Sequence, residues 1–130
     1  MSKVLILDDE KLIRWSLHQI LSGDGHEVDV AASTDEALRL ASAHPYHLIL
    51  ADLEVCGDRG KAFFSDLMVG QRDAKLVILT AMPKDDAERT LADCPISRII
   101  EKPFAAEDIK MLVRNALSLD KSSKDPLKEV

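Results

Sequence analysis

The 130 residues fit one compact domain with room for a buried core, and a composition 46% hydrophobic and 31% charged excludes a disordered chain. A formal net charge of −6 argues against direct nucleic-acid binding, which needs a basic face. With no signal-type stretch, Arg-rich leader or apolar run of about 18 residues, a soluble cytoplasmic protein without a membrane partner is expected.

Strand and helix patterns alternate along the chain. Lys3–Leu7 is a short continuous apolar run, as a strand covered on both faces requires. Lys11–Ser22 carries Ile13, Leu17, Ile20 and Leu21 as a helical stripe that stops at Gly23. Trp15 lies on a face offset from that stripe, with Leu12 and Gln19, and is expected to pack partly on the domain. Glu27–Ala31 is a weaker second strand, and Ser33 with Glu36 forms a capping box that opens the helix ending at Pro45. His47–Ala51 is the third strand and Lys61–Val69 the next helix. Lys75–Leu79 is the clearest strand, Pro83 to Ala92 a short polar helix, and Ile96–Ile100 a fifth strand. Ile109, Leu112, Val113, Ala116 and Leu117 then mark an amphipathic helix. From Asp120 to Val130 the apolar period is lost, which divides the chain into a domain over residues 1–119 and a polar tail or start of a linker over 120–130. Cys56 and Cys94 form no C-x-x-C pair and are expected as plain thiols. His18, His26, His44 and His47 show no metal-ligand spacing.

Successive βα units imply an α/β fold with a parallel sheet between helix layers. Ligands of such sheets sit beyond the carboxyl ends of the strands. Four apolar runs end there in chemistry-bearing residues: Asp8 and Asp9, Asp52, Thr80, and Lys102 followed by Pro103. Carboxylates crowded together need a cation or a proton. Asp8, Asp9 and Asp52 could supply hard oxygen ligands to Mg2+. A carboxylate at a strand end can also act as a nucleophile and become an acyl phosphate. Phosphoryl transfer then calls for positive charge and hydrogen-bond donors on the transferred oxygens, which Lys102 and Thr80 could provide.

Asp8-Asp9-Glu10, Asp52 ahead of Gly57 and Gly60, Thr80-Ala81 and Lys102-Pro103-Phe104 resemble the receiver domain of two-component response regulators. The likeness runs from residue 3 to about residue 119. It implies a flavodoxin-like (βα)5 three-layer sandwich with parallel strand order 2-1-3-4-5. It also implies a role for each matched residue. Asp52 is the expected phosphoacceptor, and Asp8, Asp9, Asp52 and the backbone carbonyl of Glu54 are the expected Mg2+ ligands. Thr80 and Lys102 are expected to contact the phosphoryl group, and the Lys102-Pro103 bond to be cis. The implied donor is a sensor histidine kinase or a histidine phosphotransfer protein, with a homodimer as a further option. The domain would catalyse its own phosphorylation and dephosphorylation without being a turnover enzyme. Asp9 through Leu17 further resembles receivers of the nitrogen-regulator type, which front enhancer-binding activators.

Some positions depart from the family pattern. Ile99, three before Lys102, stands where a switching Tyr or Phe is usual, and Cys56 replaces a common Pro. Ala105 offers no cap side chain to the last helix. Ile99 and the altered loops motivate an alternative, a phosphorylation-independent receiver-like interaction module. The intact acidic set argues against that alternative. A small phosphatase using Asp52 for turnover would ordinarily want Asp, not Glu, at position 54. A dinucleotide-binding fold is excluded because Asp-Asp-Glu, not G-x-G-x-x-G, follows the first strand.

Overall fold

The computed structural model describes residues 2–122, with side chains through residue 118. Five strands form one parallel sheet: β1 (Lys3–Leu7), β2 (Glu27–Ala31), β3 (Leu48–Asp52), β4 (Lys75–Thr80) and β5 (Arg98–Glu101). Their order is β2-β1-β3-β4-β5, the order the resemblance implied. The helices are α1 (Lys11–Gly23), α2 (Thr34–Ala43), the short α3 (Leu53–Cys56), α4 (Gly60–Leu67), α5 (Lys84–Thr90) and α6 (Ala106–Ser122), with a single 3-10 turn at Gly57–Arg59. The last helix carries past residue 119 to Ser122, while residues 123–130 of the expected tail lie outside the described residues.

Side chains of a strand alternate between faces, and the two cores follow that alternation. Leu5, Leu7, Ile49, Ala51, Leu76 and Ile78 point to one side, where Ala37 and Ala41 of α2, Phe63, Phe64 and Leu67 of α4, and Ala87 of α5 meet them. Val4, Ile6, Leu48, Leu50, Val77 and Leu79 point to the other, against Leu17 and Leu21 of α1 and Ile109, Val113 and Ala116 of α6. Each fully buried Leu or Ile contributes about 1.5–3 kcal/mol, and β1, β3 and β4 supply them on both faces.

Helix ends follow local chemistry. The left-handed residue after α1 is Gly25 (φ 91), not Gly23, which is the helix's last residue. The His26 N–H donates to the Leu21 carbonyl and the Gly25 N–H to the Ser22 carbonyl, each at 3.1 Å, which is a Schellman closure displaced two residues from the expected stop. At α2 the Ser33 hydroxyl accepts from the Glu36 N–H at 3.2 Å, and the Glu36 carboxylate accepts from the Ala32 N–H at 2.8 Å. The expected box is therefore present, with its return bond one residue earlier than the N-cap.

Trp15 departs from expectation. It is 60% exposed beside Leu12 at 71%, because α1 buries the Ile13–Leu17–Leu21 stripe and Trp15 lies two residues, about 200°, away from it. The fifth strand also begins two residues late, at Arg98. Pro95 has no N–H to give, and the Ile96 N–H turns back to the Cys94 carbonyl at 2.9 Å, so the ladder resumes only when the Ser97 N–H reaches the Leu76 carbonyl at 2.8 Å.

One buried amide was not anticipated. Gln71 is 6% exposed and ties the α2 C-terminus to the start of β3. Its Nε2 donates to the Ala41 and His44 carbonyls, each at 2.7 Å, and its Oε1 accepts from the Tyr46 N–H at 2.9 Å. Gln71→Ala strands those backbone groups away from water. It is expected to lower the unfolding free energy by about 2 kcal/mol, read as a lower urea midpoint at unchanged slope.

Candidate functional site

The parallel sheet delivers the carboxyl ends of its strands to one edge. Leu7 pairs with Ala51, Ala51 with Ile78, and Thr80 with Glu101, so Asp8, Asp52, Thr80 and Lys102 leave neighbouring strands at nearly one level. Strands β3 and β4 each end one residue later than the sequence pattern suggested, β3 also beginning one residue later at Leu48, which makes Asp52 and Thr80 the final residues of their strands. Asp52 then caps α3: its Oδ2 accepts from the Val55 N–H at 3.1 Å. This short helix and the 3-10 turn after it had no apolar period to announce them. They are set by the cap and by Gly57, whose φ of 58 a side chain would disfavour.

Asp8 is fully buried and Asp52 is 2% exposed, while Asp9 faces solvent. Asp8 is held in place by the Glu10 N–H, which donates to its Oδ1 at 2.9 Å, and by Arg14 Nη1, which donates to its carbonyl at 2.8 Å. Lys102 reaches in from the β5 end with its Nζ 2.9 Å from Asp8 Oδ2 and 2.6 Å from Asp52 Oδ1. Asp52 Oδ1 has no well-angled hydrogen-bond donor, so its compensation is the ion pair alone. Burial pushes the Asp52 carboxyl up from 3.8 to about 6. The Asp8 and Glu54 charges push the same way, and Lys102 pulls against them. For Lys102, burial favours losing its proton, but Asp52 and Asp8 together outweigh that and leave its pKa raised. The pair is therefore ionised at neutral pH, and one lysine faces two buried carboxylates.

Asp8, Asp9 and Asp52 each offer one oxygen, and these oxygens lie within 4.8 Å of one another. The donor set is hard, anionic and under-compensated, which suits a divalent cation with oxygen ligands. The Lys102-Pro103 peptide is cis, as the resemblance implied.

Thr80 stands at the site as expected, but its partner there is one that no sequence pattern announced. Its hydroxyl donates to Glu54 Oε2 at 2.5 Å, and the Ala81 N–H donates to Glu54 Oε1 at 3.0 Å. The Met82 N–H in turn donates to Thr80 Oγ1 at 3.1 Å. The only sequence signal was a second acid two residues beyond Asp52. Ile99 lies on the same sheet face as Ile78 and lines an open groove of about 530 Å3 between α5 and β5, where Leu91, Cys94 and Arg98 also lie. Cys56 and Cys94 are free thiols. Burial, then Asp52 and Glu54, push the Cys56 thiol up to about 12, which removes thiolate reactivity at neutral pH.

Three comparisons bear on this geometry. Residues 4–114 match the family model described as the response regulator receiver domain. The transcriptional regulatory protein PmrA of Pectobacterium parmentieri is 31% identical over 121 residues, which are 93% of this chain and 54% of PmrA. The chain thus spans about half the length of that curated relative. Among solved structures, NtrX from Brucella abortus in complex with ATP superposes with a TM-score of 0.84 at 25% identity, over 95% of this chain and 28% of NtrX. The response regulator TrrA from Thermotoga maritima, in complex with Mg(2+)-BeF, superposes with a TM-score of 0.75 at 28% identity, over 89% of this chain and 99% of TrrA.

Proposed function

The chain belongs to the family of response regulator receiver domains, and from that premise we propose that Asp52 accepts a phosphoryl group in a Mg2+-dependent reaction. The observation that carries the reading is a buried carboxylate whose one free oxygen faces an ammonium at 2.6 Å inside an acidic cluster. Held near 6, Asp52 is ionised at neutral pH and more basic than an ordinary carboxylate, both of which favour nucleophilic attack. An Asp52 oxygen forms the new O–P bond as the P–N bond of a phosphohistidine donor breaks, and the departing imidazole keeps the electron pair and takes up a proton. Lys102 lies where it can neutralise charge growing on the phosphoryl oxygens, and the Thr80 hydroxyl can orient one of them. Asp8, Asp9, Asp52 and the backbone carbonyl of Glu54 are the groups that would hold magnesium. When bound, the ion supplies further charge neutralisation at the phosphoryl oxygens.

The functional unit is the domain expected over residues 1–119, whose last helix runs on to Ser122, with the residues beyond that helix as a tail or the start of a linker. The donor is a sensor histidine kinase or a histidine phosphotransfer protein, and phosphorylation switches protein–protein contacts, a homodimer among them. Direct nucleic-acid binding is not assigned to this domain, given its charge of −6. Among the described residues no helix is long and apolar enough to cross a membrane. The setting proposed for the domain is cytoplasmic. The domain promotes its own phosphorylation and dephosphorylation and is not a turnover enzyme. The similarity to NtrX fits the nitrogen-regulator type of receiver. A phosphorylation-independent module is not favoured, since it would have no use for the costly arrangement of Asp8, Asp52 and Lys102.

Acetyl phosphate with Mg2+, or beryllofluoride, is expected to modify the wild-type chain and leave Asp52→Asn unmodified. Intact-mass measurement reads the phosphorylation and 19F NMR the beryllofluoride adduct. Full modification of Asp52→Asn would overturn the assignment of Asp52.

A further inference from the structure

Thr80 Oγ1 and the Ala81 N–H converge on one anion, the carboxylate of Glu54, which they hold at 2.5 and 3.0 Å through its two oxygens. A hydroxyl has a single proton. Glu54 Oε2 takes that proton, and the Met82 N–H fills an acceptor position on Thr80 Oγ1. The residue that holds these donors is two positions from Asp52 and close enough for its charge to raise the Asp52 carboxyl. We infer that Glu54 is a tethered occupant of the anion seat, a latch that the phosphoryl group on Asp52 must displace before Thr80 and Ala81 can bind it. The inference rests on the reading of Asp52 as phosphoacceptor.

The exchange is one of equals in kind. Charge-assisted hydrogen bonds to a carboxylate are released and charge-assisted bonds to a phosphoryl oxygen are formed. Only the difference between them drives the switch. Phosphoryl binding is thus weakened by the fraction of molecules in which the seat is free. Glu54 can leave at little structural cost, because apart from these contacts its side chain is exposed and supports no core residue. Its length is what matters. Aspartate at position 54 keeps the negative charge beside Asp52 but is one methylene too short to span both donors from the same backbone.

The test is a beryllofluoride titration at saturating Mg2+ of the wild type, Glu54→Asp and Glu54→Gln, followed by 1H–15N NMR. A latch predicts that Glu54→Asp binds about tenfold more tightly than the wild type and that the Ala81 amide resonance moves in the ligand-free protein. Glu54→Gln, which keeps the reach but gives up the charge, should fall between the two. If Glu54→Asp matches the wild type in both affinity and the Ala81 resonance, the latch is wrong while the acceptor reading stands, since the wild type binds. If none of the three proteins binds beryllofluoride, the acceptor reading fails and the latch fails with it.

Discussion

Asp52→Asn is expected to make the fold more stable, by about 2 kcal/mol at pH 7 in Mg2+-free buffer. Burial is the leading cause, reinforced by the neighbouring charges of Asp8 and Glu54 and only partly offset by Lys102. The carboxyl ionises near 3.8 in the unfolded chain and near 6 in the folded one. Between those values the folded state binds the extra proton. Stability therefore falls as pH rises through the window and is lowest above about 6. Asparagine has no such dependence, so its advantage should be full at pH 7, smaller at pH 5 and nearly gone at pH 4. Urea unfolding of both proteins across that range reads the effect. An advantage that persists undiminished at pH 4 would assign it to packing instead of ionisation. Saturating Mg2+ should also close the gap, because a cation bound only by the folded wild type stabilises it by mass action. Asp52, the proposed acceptor, is thus a residue the fold tolerates at a cost in stability, as expected of a position kept for chemistry and not for packing.

Most of the sheet could be read from the chain because a parallel strand buried on both faces is a short continuous apolar run with little else to be. Val4–Leu7 and Leu76–Leu79 have that form, and their bounds moved by at most one residue. The strand order came only through the resemblance, since no apolar pattern says which strand lies beside which. The expected site residues gathered as expected because strand direction, not side-chain detail, brings Asp8, Asp52, Thr80 and Lys102 to one edge. What escaped depends on geometry across long sequence separations. Gln71 serves carbonyls 27 and 30 residues away, and Glu54 serves donors 26 and 27 residues away. Neither belongs to an apolar period, and although Glu54 stands two residues beyond Asp52, nothing in the chain says that its carboxylate reaches Thr80 and Ala81. Helix α3 was missed for the opposite reason. It is four residues long, too short to show a period, and owes its existence to one cap by Asp52.

Lys102→Met is expected to lower the unfolding free energy by about 3 kcal/mol at pH 7 without Mg2+. Lys102 is the cation within 3 Å of both Asp8 and Asp52, with Nζ at 2.9 and 2.6 Å, and its side chain is only 13% exposed. Its contact with Glu10, at 3.8 Å to a side chain 64% exposed, adds little. Methionine fills the stem's volume and leaves two buried carboxylates facing each other. Such a pair relieves itself by taking up a proton. Asp52, already near 6, is the group to take it, which limits the loss and makes it shrink as pH falls. Coupling gives the sharper test. In the wild type Asp52→Asn removes a charge that Lys102 partly compensates, whereas in Lys102→Met it removes one that nothing in the protein compensates. Asp52→Asn should therefore stabilise the Lys102→Met protein more than the wild type, by at least about 1 kcal/mol in a double-mutant cycle of urea unfolding. Mg2+ should act in the same direction, restoring more stability to Lys102→Met than it adds to the wild type, because the ion takes over a charge role the lysine otherwise fills. Strict additivity, with no differential response to Mg2+, would mean that the two carboxylates and the ammonium are not one electrostatic unit. The site would then lose the property that suits it to a cation and a phosphoryl group together.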